Sequence, residues 1–263
     1  MAINKQVYAP LLNELCEVAA KFDKSSWPPN GVFIPYTFEK YSLAEKKIFY
    51  VGRDTYGWIK FCEMMDYCNA GRIEDYLDKN TQVVTVQGEN NDKDKHSLKE
   101  NWNKGAGFWT FCQKLHLYIR TGRIVSDLRQ LTPDYYSILE EMGYSNINAI
   151  EIPVTIDCLG EWGNIKNREG YWTIFDASKS VSDIKALIQA YSPDLLIVLN
   201  KDASFSVPTK VFQVIDGLGD ILAIEGKRTK IIRCPHPNRF KFEGIRTIDA
   251  ITRIGNAAIE LLK

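Results

Sequence analysis

The chain has 263 residues, 45% of them hydrophobic and 25% charged, a balance that suits a folded protein and excludes a disordered one. Lysine plus arginine number 33, as do aspartate plus glutamate, so summed charge draws the chain to no polyanion, and any such site must come from local clustering. No apolar stretch approaches the ~20 residues that span a bilayer, and "MAINKQVYAPLLNELCEVAAKF" lacks a basic start followed by an apolar run, so no signal peptide, no membrane partner and a cytoplasmic location are expected.

In chain order, Leu11, Leu12, Leu15, Val18, Ala19 and Phe22 recur at helical spacing and predict a helix from Gln6 to Phe22. "DKSSWPPNGVFIPY" is broken by prolines and glycine and reads as an irregular connection. "KKIFYVG" reads as a short buried strand, followed by a helix from about Trp58 to Asn69. Residues 87–105, nearly free of aliphatic side chains and alternating in charge, read as an exposed insertion loop. "GFWTFCQKLHLYIR" and "LTPDYYSILEEMG" read as helices, the second with Pro133 in its first turn and Gly143 as its stop. "NINAIEIPV" is β-rich, and "SVSDIKALIQAYSPDLLIVLN" is a helix and then a buried strand. "TKVFQVI" suits a further short strand, "TKIIRCPHP" is the last strand, and an amphipathic helix closes the chain from Ile245 to Leu262.

Short apolar strands alternating with helices predict a parallel sheet covered on both faces. The expected fold is α/β, a three-layer α/β/α sandwich with a central, mostly parallel sheet, formed by residues 1–263 as one domain. None of the six cysteines forms a C-x-x-C pair, so buried, reduced thiols are expected rather than disulfides or a metal cluster.

In such a sheet the ligand binds beyond the carboxyl ends of the strands. Asp54, in "YVGRDTYGW", follows the first strand: it either caps the next helix or forms one wall of a small-molecule site with Arg53, Tyr56 and Trp58. His236 follows the last strand with its backbone fixed by Pro235 and Pro237, which suits a rigid donor to a ligand or a loop histidine satisfied by a carbonyl. His96 and His116 receive no role, His116 being read as a surface or partly packed helix position. Residues 226–246 hold seven cations, Arg239 and Lys241 among them, against the single acid Glu243, a local charge of +6 that suits either phosphates or a solvated face. The chain has no phosphate-binding P-loop, no strand-linked G-x-G-x-x-G and no G-x-S-x-G elbow. Three scattered histidines make no zinc site.

The order of these segments resembles the uracil-DNA glycosylase superfamily, whose first motif reads G-[QE]-x-P-[YG] and whose last reads H-P-S. Here "GRDTYG" (52–57) and "HPNR" (236–239) stand in those places, "NINAIEIP" lies where the family carries an Asn-bearing strand, and "SPDLLIVLN" resembles its strand before the final motif. Arg53, Thr55, Gly57 and Asn238 depart from the family's usual residues. The resemblance implies cleavage of the N-glycosidic bond of a damaged or deaminated base, with DNA and a nucleobase as partners and no cofactor or metal. It implies catalytic roles for Asp54, which would activate or position water, and His236, which would assist departure of the base. Gly52, Arg53, Tyr56 and Asn148 would bind the base, and Asn238, Arg239 and Lys241 the phosphates. A nucleobase- or nucleic-acid-binding protein of the same fold without turnover, and a hydrolase of a small nucleoside-like metabolite, are the alternatives.

Overall fold

The computed structural model describes residues 2–53, 60–81, 84–85, 96–97, 107–158, 160 and 162–263. Helix α1 (Lys5–Ala19) precedes the two-residue strand β1 (Tyr36–Thr37) and then β2 (Ile48–Gly52). Helices α2 (Phe61–Asn69) and α3 (Ile73–Asn80) follow, then a separate parallel pair of two-residue strands, β3 (Val84–Thr85) and β4 (His96–Ser97). Next come α4 (Gly107–Thr121), α5 (Pro133–Leu139), β5 (Met142–Asn146), α6 (Pro153–Cys158), α7 (Arg168–Ser178) and α8 (Ile184–Tyr191). The chain ends with β6 (Leu195–Val198), β7 (Thr209–Ile215), β8 (Gly219–Ile224), β9 (Lys230–Arg233) and α9 (Thr247–Leu262).

Seven strands form one mixed sheet in the order β1-β5-β2-β6-β9-β8-β7. The four central strands β5, β2, β6 and β9 are parallel, while β1, β8 and β7 run antiparallel to their neighbours. Alternate side chains of a strand point to opposite faces, and β2 shows both faces covered. Ile48 and Tyr50 pack with Phe111 and Leu115 of α4, Leu139 of α5 and Ile254 of α9. Phe49 and Val51 pack with Ile184 and Leu187 of α8. The expected α/β arrangement with a mostly parallel central sheet between helical layers is therefore observed. A further apolar cluster joins α1, α2, α3 and α7 through Leu12, Met64, Leu77 and Ile174.

The second parallel strand is not where the apolar pattern put it. Strand β5 is "MGYSN", and "NINAIEIPV" supplies only its last residue, Asn146. Gly143 is no helix stop: it lies inside β5, where a Cβ would collide with the ring of Phe49 on the adjacent strand. Packing, not propensity, selects this strand. The preceding helix ends at Leu139. Most of residues 87–105, including the expected exposed loop, lies outside the described residues.

Two further expectations are corrected. Cys16 of α1 and Cys68 of α2 form a disulfide across the second apolar cluster, with Cα atoms 6.5 Å apart, although reduced thiols were expected throughout. Cys112 and Cys234 do match that expectation: both are free and buried, and burial pushes both thiols above their ordinary range. His116 is not at the surface but entirely buried, with its Nδ1 3.1 Å from the Tyr50 hydroxyl.

Burial first, and the charge of Arg120 second, hold the His116 pKa well below its ordinary 6.5, so the folded protein keeps this ring neutral. The unfolded chain takes up the proton near pH 6.5. Stability that depends on neutral His116 is therefore complete above that pH and is lost as the pH falls below it, at up to ~1.4 kcal/mol per pH unit. The urea midpoint is expected to drop between pH 7 and pH 5, and His116→Gln is expected to flatten that slope.

Candidate functional site

The parallel strands align their carboxyl ends along one edge of the sheet. There β2 ends at Gly52, β5 at Asn146, and β9 runs into Cys234, Pro235 and His236. From β2 the chain goes to β5 on one side, and from β6 it goes to β9 on the other. The strand order thus reverses between β2 and β6, the position where open α/β sheets form a ligand crevice. Asp54 and Tyr56, expected as catalytic acid and base-packing ring, lie outside the described residues.

Gly52 leaves room for an amide. It pairs in register with Asn146, and a Cβ at Gly52 would collide with Asn146 Oδ1 while standing 3.2 Å from the Tyr144 hydroxyl and 3.3 Å from the Phe108 ring. Tyr144 donates its hydroxyl hydrogen bond to Asn146 Oδ1 at 3.3 Å. That bond uses one of the two lone pairs of the buried amide's carbonyl. The Asn148 main-chain N–H donates to the Arg53 carbonyl at 2.9 Å, so Asn148 is tied to the end of β2 by backbone. The asparagine side chain against Gly52 is Asn146, which sequence reasoning passed over. Its signal is the register of β5 on β2, and that requires placing β5 correctly.

Phe108, in the first turn of α4, connects the two sides of this edge. Its ring stacks on His236 with centroids 5.6 Å apart and planes 22° apart, and packs on Tyr144 at 5.4 Å. Trp109 contacts the same tyrosine at 4.0 Å. His236 caps the short 3-10 turn Pro237–Arg239, its Nδ1 accepting the Asn238 N–H at 3.3 Å. An accepting Nδ1 puts the proton of the neutral ring on Nε2, so Nε2–H is the donor. The loop fits because α4 starts with Gly107, where a Cβ would come within 2.6 Å of Asn238 Oδ1. Phe240 anchors it from below, buried 5.2 Å from Phe111.

No family model matches this chain, and no curated protein does.

The structure disperses the basic stretch. Arg233 is held by both carboxylate oxygens of Asp220, at 3.0 and 2.7 Å, and by the Ala203 carbonyl. Arg246 pairs with Asp249. Lys227 and Arg228 precede β9 and so sit at the opposite edge of the sheet from His236. Arg239 and Lys241 are the exposed cations on the His236 loop, with Arg239 3.8 Å from Glu243. Of the residues expected to hold phosphate, Asn238 instead packs against Gly107. Among the described residues, no three His, Cys, Asp or Glu side chains are grouped to hold a metal ion, and no helix is long and apolar enough to cross a membrane.

Proposed function

We propose that this protein is a uracil-DNA glycosylase-like hydrolase that cleaves the N-glycosidic bond of a damaged or deaminated base in DNA. The observation that carries the reading is the Phe108 ring, stacked on His236 and set edge-on to Tyr144, beside the Asn146 amide against Gly52. A flat apolar ring, an amide donor and an imidazole donor on one edge are what a nucleobase requires: a stacking surface, an edge contact and a partner for the oxygen that gains charge.

In this reading Asn146 takes the edge-reading role first assigned to Asn148, and Gly52 keeps the approach open. Asp54, two residues beyond Gly52, accepts a proton from water as that water adds to the sugar carbon and the carbon–nitrogen bond breaks. The electron pair of that bond leaves with the base, and His236 Nε2–H donates to the base oxygen where the negative charge accumulates. A duplex substrate must flip the nucleotide out of the stack, at a cost of a few kcal/mol.

Phe242 favours nucleic acid over a free nucleoside. It is 87% exposed on the His236 loop, next to Lys241 and three residues from Arg239. An exposed ring among cations suits a platform or wedge for bases on a charged backbone. Phe242→Ala is expected to weaken oligonucleotide binding about tenfold, within the range that one stacked base contributes, without shifting the melting temperature; fluorescence anisotropy and a thermal scan measure the two. The dispersal of the other cations favours the second reading, a nucleoside-sized substrate. Free base released from a uracil-containing oligonucleotide, single- or double-stranded, supports the DNA reading. Release from nucleosides alone supports the second, and no release from several modified bases rejects both.

A further inference from the structure

We propose that the antiparallel meander β7–β8–β9 carries a second nucleic-acid contact, in which Lys210, Lys227, Arg228 and Lys230 grip the phosphate backbone and the Phe212 ring stacks on a base. Lys227, Arg228 and Lys230 belong to the basic stretch that the fold takes away from His236, and strand register gathers them around Lys210. Lys210 pairs with Ala223 and Ala223 with Lys230, so both lysines lie on one face of the sheet in a single cross-strand row. The turn from β8 to β9 follows directly. There the Lys227 N–H donates to the Ile224 carbonyl at 3.2 Å, and buried Thr229 donates its hydroxyl to the Pro193 carbonyl at 2.6 Å. Those two bonds hold the turn and leave Lys227 and Arg228 exposed at its tip.

The occupant follows from charge and from the ring. Among the described residues none of these four cations is in an ion pair, whereas Arg233, Arg239 and Arg246 of the same stretch each have a carboxylate partner. Two acids stand beside them: Glu225 on the turn, and Asp194, whose carboxylate accepts the Lys47 main-chain N–H. Four positive charges against two negative ones leave the patch cationic. Phe212 is 63% exposed, and the Lys230 ammonium lies 6.0 Å from its ring centre, so a flat apolar surface stands among the cations. Surfaces that bind nucleic acid without reading its sequence combine these two parts: cations track the phosphates and rings stack on bases. A shallow cleft of about 380 Å³ lined by Pro208, Lys210, Ala223 and Glu225 adjoins the row. His236 lies six residues beyond Lys230, roughly 20 Å along an extended chain, so the patch and the candidate site occupy opposite edges of the sheet. The inference shares with the proposed function only nucleic acid as the partner, and no chemistry at His236 enters it.

Binding of a single-stranded oligonucleotide made of the four ordinary bases, measured over a salt series, tests the proposal with the full chain. The plot of log affinity against log salt is expected to flatten by about 0.7 for each cation removed, in Lys210→Ala and in the double variant Lys227→Ala with Arg228→Ala. Lys185→Ala removes an exposed lysine from α8 and is expected to leave the slope unchanged, which separates the patch from net charge. Phe212→Ala is expected to weaken binding about tenfold at constant slope. Patch variants that keep the wild-type slope, or a chain that binds phosphatidylserine vesicles through these cations and no oligonucleotide, would overturn the proposal. Base release by the wild-type chain from a uracil-containing oligonucleotide judges the proposed function separately. Release with unchanged slopes in the patch variants overturns the patch alone, and flattened slopes without release overturn the hydrolase reading alone.

Discussion

His236→Ala is expected to slow base release by about 10²- to 10⁴-fold, the range for losing a positioned proton donor. The size of the effect follows from how the ring is held. Its Nδ1 is committed to the Asn238 N–H, its plane lies along Phe108, and prolines on both sides fix its backbone. Such a donor does not have to reorganise as charge develops on the base oxygen. His236→Gln keeps an N–H donor and should recover part of the loss. Removing the ring also removes the cap of the short turn, a cost of about 1 kcal/mol, so the alanine variant should remain folded and melt only a few degrees lower. Single-turnover release, with binding measured separately, distinguishes the chemical step from affinity. A variant that binds and cleaves like the wild-type protein would remove His236 from the mechanism.

Reduction of the Cys16–Cys68 disulfide is expected to be the largest change in stability. The bond closes a loop across 52 positions of sequence, joining α1 to α2. Chain-entropy reasoning assigns such a loop about 4 kcal/mol, mostly through the unfolded state. For a chain of this size that is a fall of about 10 °C in melting temperature. Thermal unfolding with and without reductant, and in Cys16→Ala, measures it. Alkylation of the native oxidised protein should label Cys62, an exposed free thiol, and should label additional sites after reduction. Identical melting with and without reductant would contradict the expectation.

How much of this was legible in the sequence depends on what each residue relies on. "IFYVG", "LLIV" and "KIIR" are strands in both readings, because strands buried on both faces are continuous apolar runs. Strand β5 was not legible, since glycine, serine and asparagine are poor strand formers and only Phe49 across the sheet explains Gly143. The short helix α3, the aromatic-rich α7 and the hairpin partner β8 were likewise missed.

The site divides in the same way. His236 was legible because its prolines are local. Asn146 and Phe108 were not, because their roles come from cross-strand register and from the docking of α4 against the carboxyl edge. The disulfide and the Arg233–Asp220 pair are long-range contacts with no local signature. The basic stretch shows the opposite error: residues close in sequence are spread over two edges of the sheet and three partners.

The most direct measurement is a crystal structure of the chain with uracil or a uracil-containing oligonucleotide. The account predicts a base lying against Phe108, its edge on the Asn146 amide and an oxygen within hydrogen-bond distance of His236 Nε2, with Asp54 on the sugar side of the same cavity. A base bound elsewhere, or Asp54 and His236 opening onto different surfaces, would contradict it.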